Sequence, residues 1–67
     1  MSHYDYERSK ELSKGDPPFA SLIMAACRKA DTGNFERLKL VFPGIVEELQ
    51  LRYYASGGIL DEDKDNL

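Results

Sequence analysis

His3, Cys27, the adjacent pair Glu47-Glu48 and the acidic run Asp61, Glu62, Asp63 and Asp65 are the side chains of this 67-residue chain that could do chemistry. Their spacing argues against most of it. His3 is the only histidine and lies in a polar stretch with no nucleophile placed beside it, which fits a solvated residue better than a general base. Neighbouring positions on a helix point about 100° apart, so Glu47 and Glu48 do not form a catalytic carboxylate pair by themselves. The acidic run resembles the opening of a calcium loop. It lacks the glycine of the sharp turn and the closing glutamate. Gly57-Gly58 lacks the adjoining lysine and the following helix that a phosphate loop needs, so it is not read as one. Cys27 sits on the flank of an apolar run and reads as a small core residue rather than a reactive thiol. As the only cysteine it cannot form an intramolecular disulfide, and a reducing compartment is the natural expectation. One Cys and one His cannot fill four zinc positions. The residues therefore predict no catalytic set, no metal and no cofactor, and a protein that is not an enzyme.

Recognition is better served. Arg52, Tyr53 and Tyr54, with Arg28, combine flat contact area with directed hydrogen bonds and are the candidate partner- or ligand-binding residues. In a symmetric oligomer, paired copies of Arg28 or Arg52 could frame an anionic molecule. The plainer alternative is that Arg52 pairs with Glu48 and Tyr53 fills the core.

These side chains must be held by helices. The run Phe19 to Ala30 is the most apolar part of the chain, and Phe19, Leu22, Ile23, Ala26 and Ala30 follow the spacing of one buried face. Ala20, Met24 and Cys27 widen that stripe. The preceding Gly15-Asp16-Pro17-Pro18 predicts a helix start near Pro17 or Pro18, with Asp16 as an early acceptor. Asp31-Thr32-Gly33-Asn34 predicts a tight turn, with Gly33 left-handed and Asn34 or Thr32 capping the next helix. That helix, residues 35–42, is expected to bury Phe35, Leu38, Val41 and Phe42. Pro43 imposes a kink or break and opens a last helix to about Ala55, burying Ile45, Val46, Leu49 and Tyr53. Gly57-Gly58 stops it. Residues 1–16 are a polar arm or short helix, with Ser2 and Asp5 spaced for a capping box. Residues 17–60 are the helical domain, and residues 61–67 an acidic flexible tail. The prediction is an all-α fold of two or three short helices.

A chain this short buries only about 60% of its unfolded surface. With disulfide and zinc excluded, self-association is the remaining aid to stability. Ala20, Met24, Leu40, Leu51 and Tyr54 fall outside the narrowest buried faces and are the expected homo-oligomer interface. The formal charge is −3, with the acidity concentrated in the tail. A near-neutral body is not the footprint of a nonspecific nucleic-acid binder. No apolar run is long enough for a membrane span, and no signal peptide is evident, so the expected location is cytoplasmic.

The run from Pro18 to Ala30, then Asn34-Phe35-Glu36-Arg37-Leu38, Phe42-Pro43, Glu47-Glu48, and Arg52-Tyr53 before Gly57-Gly58, resembles short uncharacterised helical proteins of bacteriophages and prophages. The likeness covers about residues 17–60 and rests on caps, breaks and core positions. It implies an accessory protein acting in the cytoplasm of a bacterial host cell. Three functions follow as expectations. The first is a non-enzymatic protein that binds and inhibits a host protein, such as a defence component. The second is an oligomeric sponge that sequesters an anionic nucleotide-like signal through Arg28, Arg52, Tyr53 and Tyr54. The third is a small helix-turn-helix DNA-binding regulator presenting Glu36, Arg37 and Lys39, which the thin set of donors disfavours.

Overall fold

A computed structural model describes residues 1–64 of the chain. These residues are all-α: α1 (His3–Ser13), α2 (Phe19–Lys29), α3 (Thr32–Val41), α4 (Pro43–Tyr54) and a short α5 (Asp61–Lys64), with a 3₁₀ turn at Ser56–Gly58. Among the described residues there is no strand. The architecture is richer than two or three helices, because helices α1 and α5 flank the three expected ones.

The capping box expected at the start of α1 is present. Ser2 Oγ accepts from the Asp5 N–H at 3.2 Å, and Asp5 Oδ2 accepts from the Ser2 N–H at 3.0 Å. Exposed pairs His3–Glu7, Lys10–Glu7 and Arg8–Glu11 run along the helix. Helix α1 packs against no other element. The segment after it is bent by Gly15 (φ 87°) and Asp16 (φ 51°) and stiffened by Pro17 and Pro18.

Asp16 does not cap α2. The N-cap is Pro18, which makes no side-chain bond, and the helix opens at Phe19. Pro18 disfavours helical geometry at Pro17, so the start moves beyond both prolines and out of reach of Asp16. The turn between α2 and α3 also differs from expectation. The chain leaves α2 through an extended Ala30, and Asp31 is the N-cap of α3, its Oδ1 accepting from the Asn34 N–H at 2.8 Å. Gly33 is therefore an ordinary residue of the first turn of α3. The carboxylate of Asp31 starts the helix earlier than Asn34 or Thr32 could.

Phe42 serves two helices. Its N–H donates to the Leu38 carbonyl at 2.7 Å, and its own carbonyl accepts from the Val46 N–H at 3.1 Å. With φ −125° and ψ 59° it leaves helical geometry, as a residue before proline does, and Pro43 opens α4.

The core lies where α4 meets α2 and α3. Val46 is 1% exposed and Cys27 is also buried. Ala20, Ile23, Met24, Phe35, Leu38, Ile45 and Leu49 are half-buried around them. Helix α2 is thus rotated from the expected face: Ala20, Ile23, Met24 and Cys27 turn inward, while Phe19, Leu22 and Ala26 are exposed. Both flanks of this helix are apolar, so its own periodicity does not choose between them. Phe19 meets Phe42 edge-on, with ring centroids 5.6 Å apart, at the rim of the body. Val41 and Tyr53, expected in the core, are exposed too. Each lies near the C-terminal end of its helix.

Helix α4 stops ahead of the two glycines, at an extended Ala55 (φ −88°, ψ 146°), and Gly57 and Gly58 hold left-handed backbone (φ 64° and 70°) in the 3₁₀ turn that follows, a conformation that suits glycine. Beyond them, where a solvated tail is expected, Asp61–Lys64 makes one helical turn. Residues 65–67 of that tail lie outside the described residues. The molecule extends over 44 × 29 × 18 Å, with a radius of gyration of 14.1 Å. A compact chain of this length would have about 11 Å.

Candidate functional site

Three of the four predicted recognition residues come together. Arg28 near the end of α2, and Tyr53 and Tyr54 at the end of α4, line one cleft of about 220 Å3. Cys27, Phe35 and Leu49 line it with them, and Gln50 adds an amide. Arg28 follows Cys27 at the flank of α2, and one further turn of α4 beyond Leu49 brings Tyr53 alongside. The two tyrosine rings meet edge-on, with centroids 5.2 Å apart. An exposed guanidinium beside two phenol groups above an apolar lining can stack on a flat ring and pair with an anion.

Arg52 does not join this cleft. Its guanidinium grips Asp63: Nη1 donates to Oδ2 at 2.6 Å and Nη2 to Oδ1 at 3.0 Å. Nη1 also donates to the Gly58 carbonyl at 2.8 Å, and Nε stands 3.7 Å from Glu48. The Asp63 bond is the main reason the Arg52 pKa is raised above its ordinary value. Asp63 is held at about 2, below its usual 3.8, first by Arg52 and then by the Leu60 N–H, which donates to Oδ2 at 2.9 Å. The pairing of Arg52 with an acid is therefore real, but its principal partner is Asp63 rather than Glu48. Sequence spacing favours Glu48, four residues back on the same helix. Asp63 comes near only because the two glycines reverse the chain.

The expected oligomer interface divides. Ala20 and Met24 are half-buried on the inward side of α2 and do not offer a free face. Leu40 (81% exposed), Leu51 and Tyr54 (85% exposed) point outward from α3 and α4.

A second, larger groove of about 500 Å3 runs between α2 and α3. Ala26, Ala30, Leu38, Val41 and Phe42 give it an apolar lining, with Lys29, Asn34 and Arg37 at its margin. Arg37 Nη1 donates to Asn34 Oδ1 at 3.0 Å. Neither Lys29 nor Arg37 has an acidic partner among the described residues. The sequence reading misses this groove because it assigns Val41 and Ala26 to the core. The signal was there in Lys29 and Arg37, each placed three or four residues from an apolar residue of the same flank.

No family model, curated protein or solved structure matches the chain. Among the described residues, no three His, Cys, Asp or Glu side chains gather closely enough to hold a metal ion. No helix among them is long and apolar enough to cross a membrane.

Proposed function

We propose that the chain is a non-enzymatic accessory protein of the phage type, which binds a protein of a bacterial host, such as a defence component, and inhibits it. The observation that carries this reading is the exposure of Leu40, Leu51 and Tyr54 on α3 and α4. Large apolar side chains left in water beside polar neighbours are what a partner surface covers. The body offers them on two helices already formed and packed against one another, so little ordering is needed on binding. The test is capture of a defined host protein on the immobilised chain, followed by an assay of that protein's activity with the chain added. Leu40→Asp with Leu51→Asp is expected to lose both capture and inhibition while keeping its helicity. Equal inhibition by that variant would defeat the reading.

The cleft of Arg28, Tyr53 and Tyr54 favours a second reading, a sponge for an anionic nucleotide-like signal. Arg52 drops out of that ligand set, because Asp63 already occupies it. A thermal-shift screen with cyclic nucleotides separates the two. A rise in melting temperature that Arg28→Ala abolishes supports the sponge. No shift with any anionic nucleotide, together with a captured host protein, supports the protein partner. The near-neutral body gives the DNA-regulator reading no further support.

A further inference from the structure

Helix α1 and the α2/α3 groove pose matching problems. An 11-residue helix is marginal in water without tertiary packing, and α1 has none within its own chain. The groove is apolar along its length and carries Lys29 and Arg37 with no carboxylate among its lining residues. What fits it is a helix with apolar side chains flanked by acids. On α1, Tyr4 and Leu12 lie about 80° apart by helical spacing with Arg8 between them, and Glu7 and Glu11 form an acidic edge on the Tyr4 side. Tyr4 and Leu12 are both exposed. The present partners of Glu7 and Glu11 are His3, Lys10 and Arg8 on the same exposed helix, and such pairs hold a carboxylate weakly.

We propose that the groove between α2 and α3 receives α1 of a second copy of this chain, so that two copies exchange their N-terminal helices. The bent and proline-stiffened segment 14–18 holds each α1 away from its own body, which leaves it free to reach a neighbour. The area agrees. The accessible surface is 5704 Å2, about 1400 Å2 more than a compact monomer of this mass presents. A stable two-chain interface takes about 800 Å2 from each partner. Exchange therefore has enough surplus surface to draw on, and it uses the faces of Phe19, Leu22 and Val41 rather than those of Ala20 and Met24. This arrangement goes beyond the host-protein reading and does not depend on it, because Leu40, Leu51 and Tyr54 stand outside the groove.

Charge reversal on the full-length chain tests the exchange. One variant carries Glu7→Lys and Glu11→Lys; the other carries Lys29→Glu and Arg37→Glu. Each alone places like charges between helix and groove, so each is expected to run as a monomer by light scattering, where the unsubstituted chain runs as a dimer. Mixed in equal amounts they restore both contacts, and a mixed dimer is expected. Circular dichroism on each variant checks that the body remains helical. Leu12→Ser, which changes no charge, is expected to weaken the dimer in the same way. A monomeric unsubstituted chain overturns the proposal. So does a dimer that survives Glu7→Lys with Glu11→Lys, or a mixture that stays monomeric.

Discussion

The guanidinium of Arg52 is held by a carboxylate eleven residues further along and by the Gly58 carbonyl. A pair that is two-pronged and partly shielded is stronger than a single exposed contact. Asp63→Asn keeps the shape but removes the charge, and is expected to lower the melting temperature by several degrees. Because the folded carboxyl is held at about 2 against an ordinary 3.8, its contribution is complete above 3.8 and disappears as pH falls toward 2. Thermal melts across that interval check the sign: the gap between the native chain and Asp63→Asn should close on acidification. Val46, the most buried side chain, belongs to the same scale. Val46→Ala removes two carbons from the point where three helices meet, at a cost of about 2 kcal/mol. In so small a chain, each kcal/mol shifts the melting midpoint by about 4–8 °C, which calorimetry resolves.

Element boundaries are where the sequence spoke most clearly, and its failures there have physical causes. The capping box of α1 and the break at Phe42-Pro43 are local chemistry, and both are found; the last helix ends near Ala55 as expected, but at that extended residue rather than at the two glycines beyond it. Gly33 misled because a glycine between two helical runs usually ends the first one. Here Asp31 captures the backbone two residues sooner, and Gly33 becomes helical. The difference is testable. A Cβ on Gly33 would meet only Arg37 and Asp31 side-chain atoms at 3.7 Å, so Gly33→Ala is expected to stabilise α3 by up to about 1 kcal/mol. Gly57→Ala and Gly58→Ala should destabilise, because both glycines hold positive φ. Asp31→Ala is expected to cost about 1 kcal/mol through the lost cap. Urea titration of the four variants reads all of these. The rotation of α2 was not legible, since apolar residues on both its flanks leave the choice to its neighbours. The Arg52–Asp63 contact was hidden for a related reason: it depends on a chain reversal, and helical spacing carries no information about that.

At the scale of the whole molecule, the legible part was the imbalance between apolar side chains and places to bury them. Which side chains remain outside depended on helix orientation, so Ala20 and Met24 were assigned to the surface while Phe19 and Val41 were not. Arg28, Tyr53 and Tyr54 line one cleft, whereas Arg52, expected beside them, is held by Asp63. There is a further use for the single thiol. Cys27 is shut in by the crossing of α2 with α4, and no other sulfhydryl competes with it. A maleimide or disulfide reagent meets it only at the narrow edge it presents to the Arg28–Tyr53–Tyr54 cleft, so labelling quickens when the three-helix body parts. Its modification half-time is thus a built-in clock for the opening of the core. It should shorten in Val46→Ala and hold steady when the exposed pair Lys64–Asp61 is removed, which lets the breathing of the body be timed without adding a single foreign label.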